Sequence, residues 1–240
     1  MRRSPFGFLL VAGSLLALPL AAQTADQIVS RALAARGGLD RIKAIHAERL
    51  IGTITVGPND PGPLRVAMRR PGQAHEEVTL PNGPMVRWTD GTTGWIIAPG
   101  TATPRVLSSS ELANMAGSTD FDGPIVDAAA KGNVITLVGA DSVEGRPAWK
   151  LQVGGRDSAV HFIYFDATTF LQVKWEGIIH GSNGDFTVTS YFHDYRPVDG
   201  VMFAYAIDSG TDDAPGAQKI RLTTVEVDPI LDDSLFRGPR

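Results

Sequence analysis

No cysteine occurs among the 240 residues. This excludes disulfides, thiolate metal sites, thiol nucleophiles and a lipidated N-terminal cysteine, whatever the compartment. Charge is also sparse: 20% of residues are charged, and acidic side chains outnumber basic ones 26 to 22. An acidic balance of this kind argues against nucleic acid, whose phosphates call for a basic stripe. Beyond the first 22 residues no apolar run approaches the ~20 residues that cross a bilayer. Histidine is scarce, and His46, His75, His161, His180 and His193 lie on separate segments without metal-ligand spacing. The nucleophile elbow, the Walker phosphate loop and the dinucleotide-binding glycine fingerprint are all missing. The sequence therefore shows no catalytic residue, no metal site and no cofactor motif.

What is present begins with an export signal. Arg2 and Arg3 precede a mostly apolar run, Phe6–Leu20, which ends in the small residues Ala21 and Ala22. This is the order of a secretory signal peptide, with cleavage expected after Ala22 and export of the mature chain. An uncleaved anchor is the competing reading, but Gly7, Gly13, Ser14 and Pro19 interrupt the run. Cleavage would remove two basic residues and no acidic ones, leaving a net charge of −6.

Residues 23–240 read as one domain. Thr24 and Gln27 form a capping box, Ile28, Ala32, Leu33 and Ala35 recur at helical spacing, and Gly37-Gly38 ends the helix. A short helical stretch follows from Asp40 to His46. The period then changes to two, and twelve segments read as strands: 49–56, 64–70, 75–80, 85–89, 94–98, 134–138, 148–153, 160–165, 171–177, 186–193, 201–207 and 219–227. Tight turns separate most of them, so neighbours should pair antiparallel. Ser108–Glu111 can cap a middle helix running to about Ala116, and Pro124–Ala130 can add a turn or two.

An antiparallel sheet this wide must curl or close. The expected fold is mainly β (α+β), a curled or closed antiparallel sheet of about 11–12 strands. Alternation marks an apolar set as candidate lining: Val66 and Met68, Val86 and Trp88, Trp95 and Ile97, Trp149 and Leu151, Leu171, Val173 and Trp175, and Phe203 and Tyr205. That set either fills a core or encloses a cavity for something apolar, and composition alone favours the filled core.

Five segments resemble the periplasmic lipoprotein-sorting-protein-like group related to the lipoprotein carriers LolA and LolB, in its uncharacterised branch. They are Ala34–Ile45, Thr89–Trp95, Asp120–Asp127, Asp194–Phe203 and Leu231–Phe236, in order along the chain. The resemblance implies a strongly curved, incompletely closed antiparallel half-barrel with helices covering its concave side, like a lid over an apolar cavity that receives acyl chains. The membrane-anchored carriers use a lipidated cysteine, which this chain lacks. The leading expectation is a soluble binding or carrier protein for a lipid or an acylated lipoprotein, without covalent chemistry. An envelope sensing or scaffolding module that binds a protein partner is the alternative. A hydrolase with a site assembled around His193, His161 or His180 is the third reading.

Overall fold

The computed structural model describes residues 23–155, 160–181 and 184–239; residues 1–22, expected to be a signal peptide, and Asp157, Ser158 and Asn183, expected in turns, fall outside them. The first helix, α1 (Ala25–Arg36), begins as its capping box dictates: Gln27 N–H donates to Thr24 Oγ1 and Thr24 N–H to Gln27 Oε1. It stops at Gly37, whose φ of 133° suits glycine alone. A Cβ at Gly37 would also sit 2.4 Å from the Gly200 carbonyl oxygen. Helix α2 (Leu39–Ala44) follows, and α3 (Ser109–Thr119) carries its own capping box between Ser108 and Glu111. Residues 124–130 form consecutive turns rather than a helix.

Thirteen strands form one antiparallel sheet: β1 (Ala47–Val56), β2 (Gly62–Arg69), β3 (Gln73–Leu80), β4 (Gly83–Thr89), β5 (Gly94–Ile97), β6 (Arg105–Val106), β7 (Val134–Val143), β8 (Arg146–Gly154), β9 (Val160–Asp166), β10 (Gln172–Gly181), β11 (Gly184–Val198), β12 (Val201–Thr211) and β13 (Ala214–Val227). The strand beyond the twelve expected is the two-residue β6. Order across the sheet is β6-β5-β4-β3-β2-β1-β13-β12-β11-β10-β9-β8-β7. Two meanders, β1–β6 and β7–β13, are thus sewn together along β1 and β13. The terminal strands β6 and β7 do not pair, so the sheet is an open half-barrel.

Its curl is visible in the packing. Val78 of β3 and Tyr205 of β12 share one apolar cluster although three strands separate them in the sheet. A flat sheet would hold them ~19 Å apart, four strand spacings. Helix α1 lies in the concavity, where Ile28 and Ala32 pack on Leu151, Val153, Ile163 and Phe165. Helix α3 sets Met115 against Met68, Ala74 and Leu107 and also contacts β10. The convex side carries a different cover: a 3-10 helix, Asp233–Phe236, brings Leu231 and Phe236 onto Ala47 and Ala67.

The concave face as candidate binding site

Register assigns each strand residue to a face. Leu50 of β1 pairs with Val66 of β2, Val66 with Glu76 of β3, Glu76 with Arg87 of β4, and Arg87 with Ile96 of β5. This row faces inward with Leu50 and Val66. Seven of the thirteen residues singled out by alternation reach the concave face: Val66, Met68, Trp149, Leu151, Trp175, Phe203 and Tyr205. Leu151 is wholly covered by α1, and Tyr205 lies beneath the Arg196 guanidinium, 4.4 Å from its ring centroid. Val66, Trp149, Trp175 and Phe203 are only half-buried, as are the inward Leu50 and Met85 that alternation had not marked.

The other six lie elsewhere. Val86, Trp88, Trp95 and Ile97 are on the convex face, because β3 and β4 join through a two-residue turn that pairs even positions with odd ones. Trp88 donates its indole N–H to the Arg237 carbonyl at 2.8 Å and stacks on Trp95, with ring centroids 5.9 Å apart. The C-terminal segment therefore buries Trp88 and leaves Trp95 partly buried, and the inward positions of β4 hold Arg87 in an ion pair with Glu76 at 2.7 Å. Val173 is carried outward by a register shift between Gln172 and Lys174 and packs near Tyr164 and Tyr191. Leu171 and Val173 line a groove of about 270 Å³ with Glu144, Arg146, Asp166 and His193.

That groove bears on the hydrolase reading. His193 Nδ1 lies 3.7 Å from Glu144 Oε2, beyond hydrogen-bonding distance, and its ring stacks on Tyr191. His161 packs on Trp175, and burial lowers its pKa. The His180 side chain is outside the described residues. Among those residues no three of His, Asp and Glu converge to hold a metal.

A charged cluster that alternation could not reveal sits under the 120s segment. Arg36, at the end of α1, donates to the backbone carbonyls of Phe121 and Asp122. Arg70, after β2, grips the Asp122 carboxylate with both terminal nitrogens and lies over the Phe121 ring at 4.6 Å. Burial pushes the Asp122 pKa up, but the Arg70 hydrogen bond and charge outweigh it, leaving the carboxyl below its usual range. Val126 adds an apolar anchor, wholly buried against Ile42, Ile45 and Val201.

Glu48, inward on β1, is 2% exposed, and its Oε1 has no hydrogen-bond partner among the described residues. Burial raises its pKa from 4.5 to about 7, against the pull of Arg36 and Arg70 and with the push of Asp122 and Asp228. Trp149 Nε1 is a second buried inward polar atom without a partner. Buried polar groups are normally satisfied, so two such atoms on one lining are notable.

An open antiparallel half-barrel with helices in its concavity is a recognisable fold class, and similar solved structures name it. A LolA superfamily protein from Nitrosomonas europaea superposes with a TM-score of 0.58 at 16% identity, over 90% of this chain and 99% of that one. A DUF1329 family protein from Desulfovibrio piger gives 0.59 at 12% identity, over 89% and 97%. A Vibrio parahaemolyticus domain described as outer membrane lipoprotein-sorting gives 0.55 at 10%, over 87% and 94%. The chain thus has the LolA-like fold. No protein-family model matches the sequence, and no curated protein matches it. No helix among the described residues is long and apolar enough to cross a membrane.

Proposed function

We propose that this protein is an exported, periplasmic carrier that holds the acyl chains of a lipid or a lipoprotein on its concave face and performs no covalent chemistry. One observation carries the reading: Leu50, Val66, Met85, Trp149, Trp175 and Phe203 all face inward, from both halves of the sheet, yet are only partly buried. Apolar side chains inside a finished core would be covered. Covering such a lining with acyl chains is favourable by ~25 cal/mol per Å². The orphaned Glu48 Oε1 and Trp149 Nε1 offer an acceptor and a donor for the polar end of an amphiphile. The name of the Vibrio parahaemolyticus domain, lipoprotein-sorting, agrees with this ligand class.

Native mass spectrometry of protein isolated from a bacterial envelope is expected to show a lipid-sized adduct, and an apolar fluorophore should find one saturable site displaced by a long-chain acyl lipid. Absence of both would end the carrier reading. A stoichiometric protein partner with an unoccupied concave face would replace it with the scaffold reading.

A further inference from the structure

The two edges of the sheet are finished differently. β6 is two residues long, and its Arg105 is tied to α3 through Glu111 at 2.6 Å. β7 is ten residues long and contains no proline, lysine or arginine; Asp141 is its one charge. Natural sheets blunt their edges with shortness, charge or proline, because a free row of backbone N–H and C=O groups templates further pairing. Along β7, Val134 and Val138 are 69% and 53% exposed, with Thr136 exposed between them. Ile135 and Leu137 point the other way, toward α1. The exposed row continues by register from Val134 through Gly154 to Val160, itself 40% exposed.

The strand's own sequence says what fits it. Val134-Ile135-Thr136-Leu137-Val138 has nearly the same character read in either direction. Antiparallel pairing of this stretch with a second copy, centred on Thr136, would set Val134 opposite Val138 and Ile135 opposite Leu137. The register shift between Leu137 and Gly139 confines the regular stretch to these five residues.

We propose that β7 is a dimerisation edge, where two copies of this chain join antiparallel about Thr136 into one continuous sheet. The symmetry of the segment is what selects a second copy over an unrelated strand, since an isologous contact must be complementary to itself. The proposal is independent of what the concave face holds.

Sedimentation velocity of the full protein over a concentration range is expected to show a monomer–dimer equilibrium. Thr136→Lys would place two ammonium groups opposite each other on the axis and should weaken the dimer at least ~10-fold. Val106→Lys, on the other edge, should leave it unchanged. The cysteine-free background allows a second readout that does not depend on how Thr136→Lys folds. Residues opposite each other in an antiparallel pair have Cα atoms about 4.5–5.5 Å apart, within disulfide reach. Mild oxidation should therefore give a covalent dimer of Thr136→Cys and none of Val106→Cys. A protein that stays monomeric at every concentration overturns the proposal. So does a dimer that is indifferent to Thr136→Lys, or a Thr136→Cys chain that does not cross-link.

Discussion

The four tryptophans divide into two pairs with opposite fates. Trp149 and Trp175 face the concavity, partly buried around the cluster that α1 completes. Trp88 and Trp95 face outward, stacked on each other and closed over by the C-terminal segment through Arg237 and Gly238. All four sit on alternating strands with the same local pattern. The difference teaches that alternation fixes which residues of one strand share a face, whereas turn length and bulges fix how that face lines up with the next strand. The C-terminal segment seals Trp88 against Trp95. The inward pair is the one that the carrier reading assigns to a ligand.

Removing the outer seal should produce the largest change. Phe236 is 1% exposed, so Phe236→Ala is expected to cost ~3–5 kcal/mol in urea-induced unfolding. Uptake of an apolar fluorophore by the folded fraction should stay the same. A variant that kept its stability would show that the outer pair needs no cover, and one that lost uptake would show that the two faces are not separable.

A comparable effect is expected from the inner face as pH changes. The pKa of Glu48 is about 7 in the folded protein against 4.5 unfolded, so the folded state holds the proton more tightly. Its contribution to stability is then full below pH 4.5 and is lost as pH rises through 7. Glu48→Gln keeps a neutral side chain throughout. The variant should gain on the native protein by roughly 3 kcal/mol between pH 4 and pH 8. Denaturation at the two pH values measures this, and a stability difference that does not change with pH would contradict the buried, unpaired carboxyl.

A smaller effect separates the faces by ligand. Val66 faces inward and Val86 outward, although two-residue spacing placed both in one set. Val66→Asp should weaken binding of the apolar probe by ~10-fold, about 1.4 kcal/mol, by setting a carboxylate in the lining. Val86→Asp should leave probe affinity as it was. Equal losses in two folded variants would break the distinction between the faces.

Local features were legible in the sequence to the degree that their causes are local. The Thr24–Gln27 and Ser108–Glu111 caps formed as their spacing implied, and twelve strands with short turns led to a curled antiparallel sheet. Trp88 and Trp95 were misplaced because the inward set of β4 depends on a turn two strands away from the Val66 row. The Arg36–Asp122 contact joins residues 86 positions apart, and Arg70–Asp122 joins residues 52 apart, so no periodicity could expose that cluster. Asp120–Asp127 and Leu231–Phe236, part of the resemblance to the lipoprotein-sorting group, turned out to be the tied segment over the concavity and the outer seal. Glu48 lay just ahead of the expected strand 49–56 and drew no notice; its burial beside Arg36, Arg70 and Asp122 depends on residues far away in the chain.

The two tryptophan pairs also supply the most direct test of where a ligand sits. A long-chain acyl lipid carrying a bromine quencher on its tail can be titrated into two double variants, Trp88→Phe with Trp95→Phe, and Trp149→Phe with Trp175→Phe. A concave binding face predicts saturable quenching of the first variant, whose remaining indoles are inside, and little quenching of the second. Quenching confined to the second variant, or no saturable quenching of either, would contradict it.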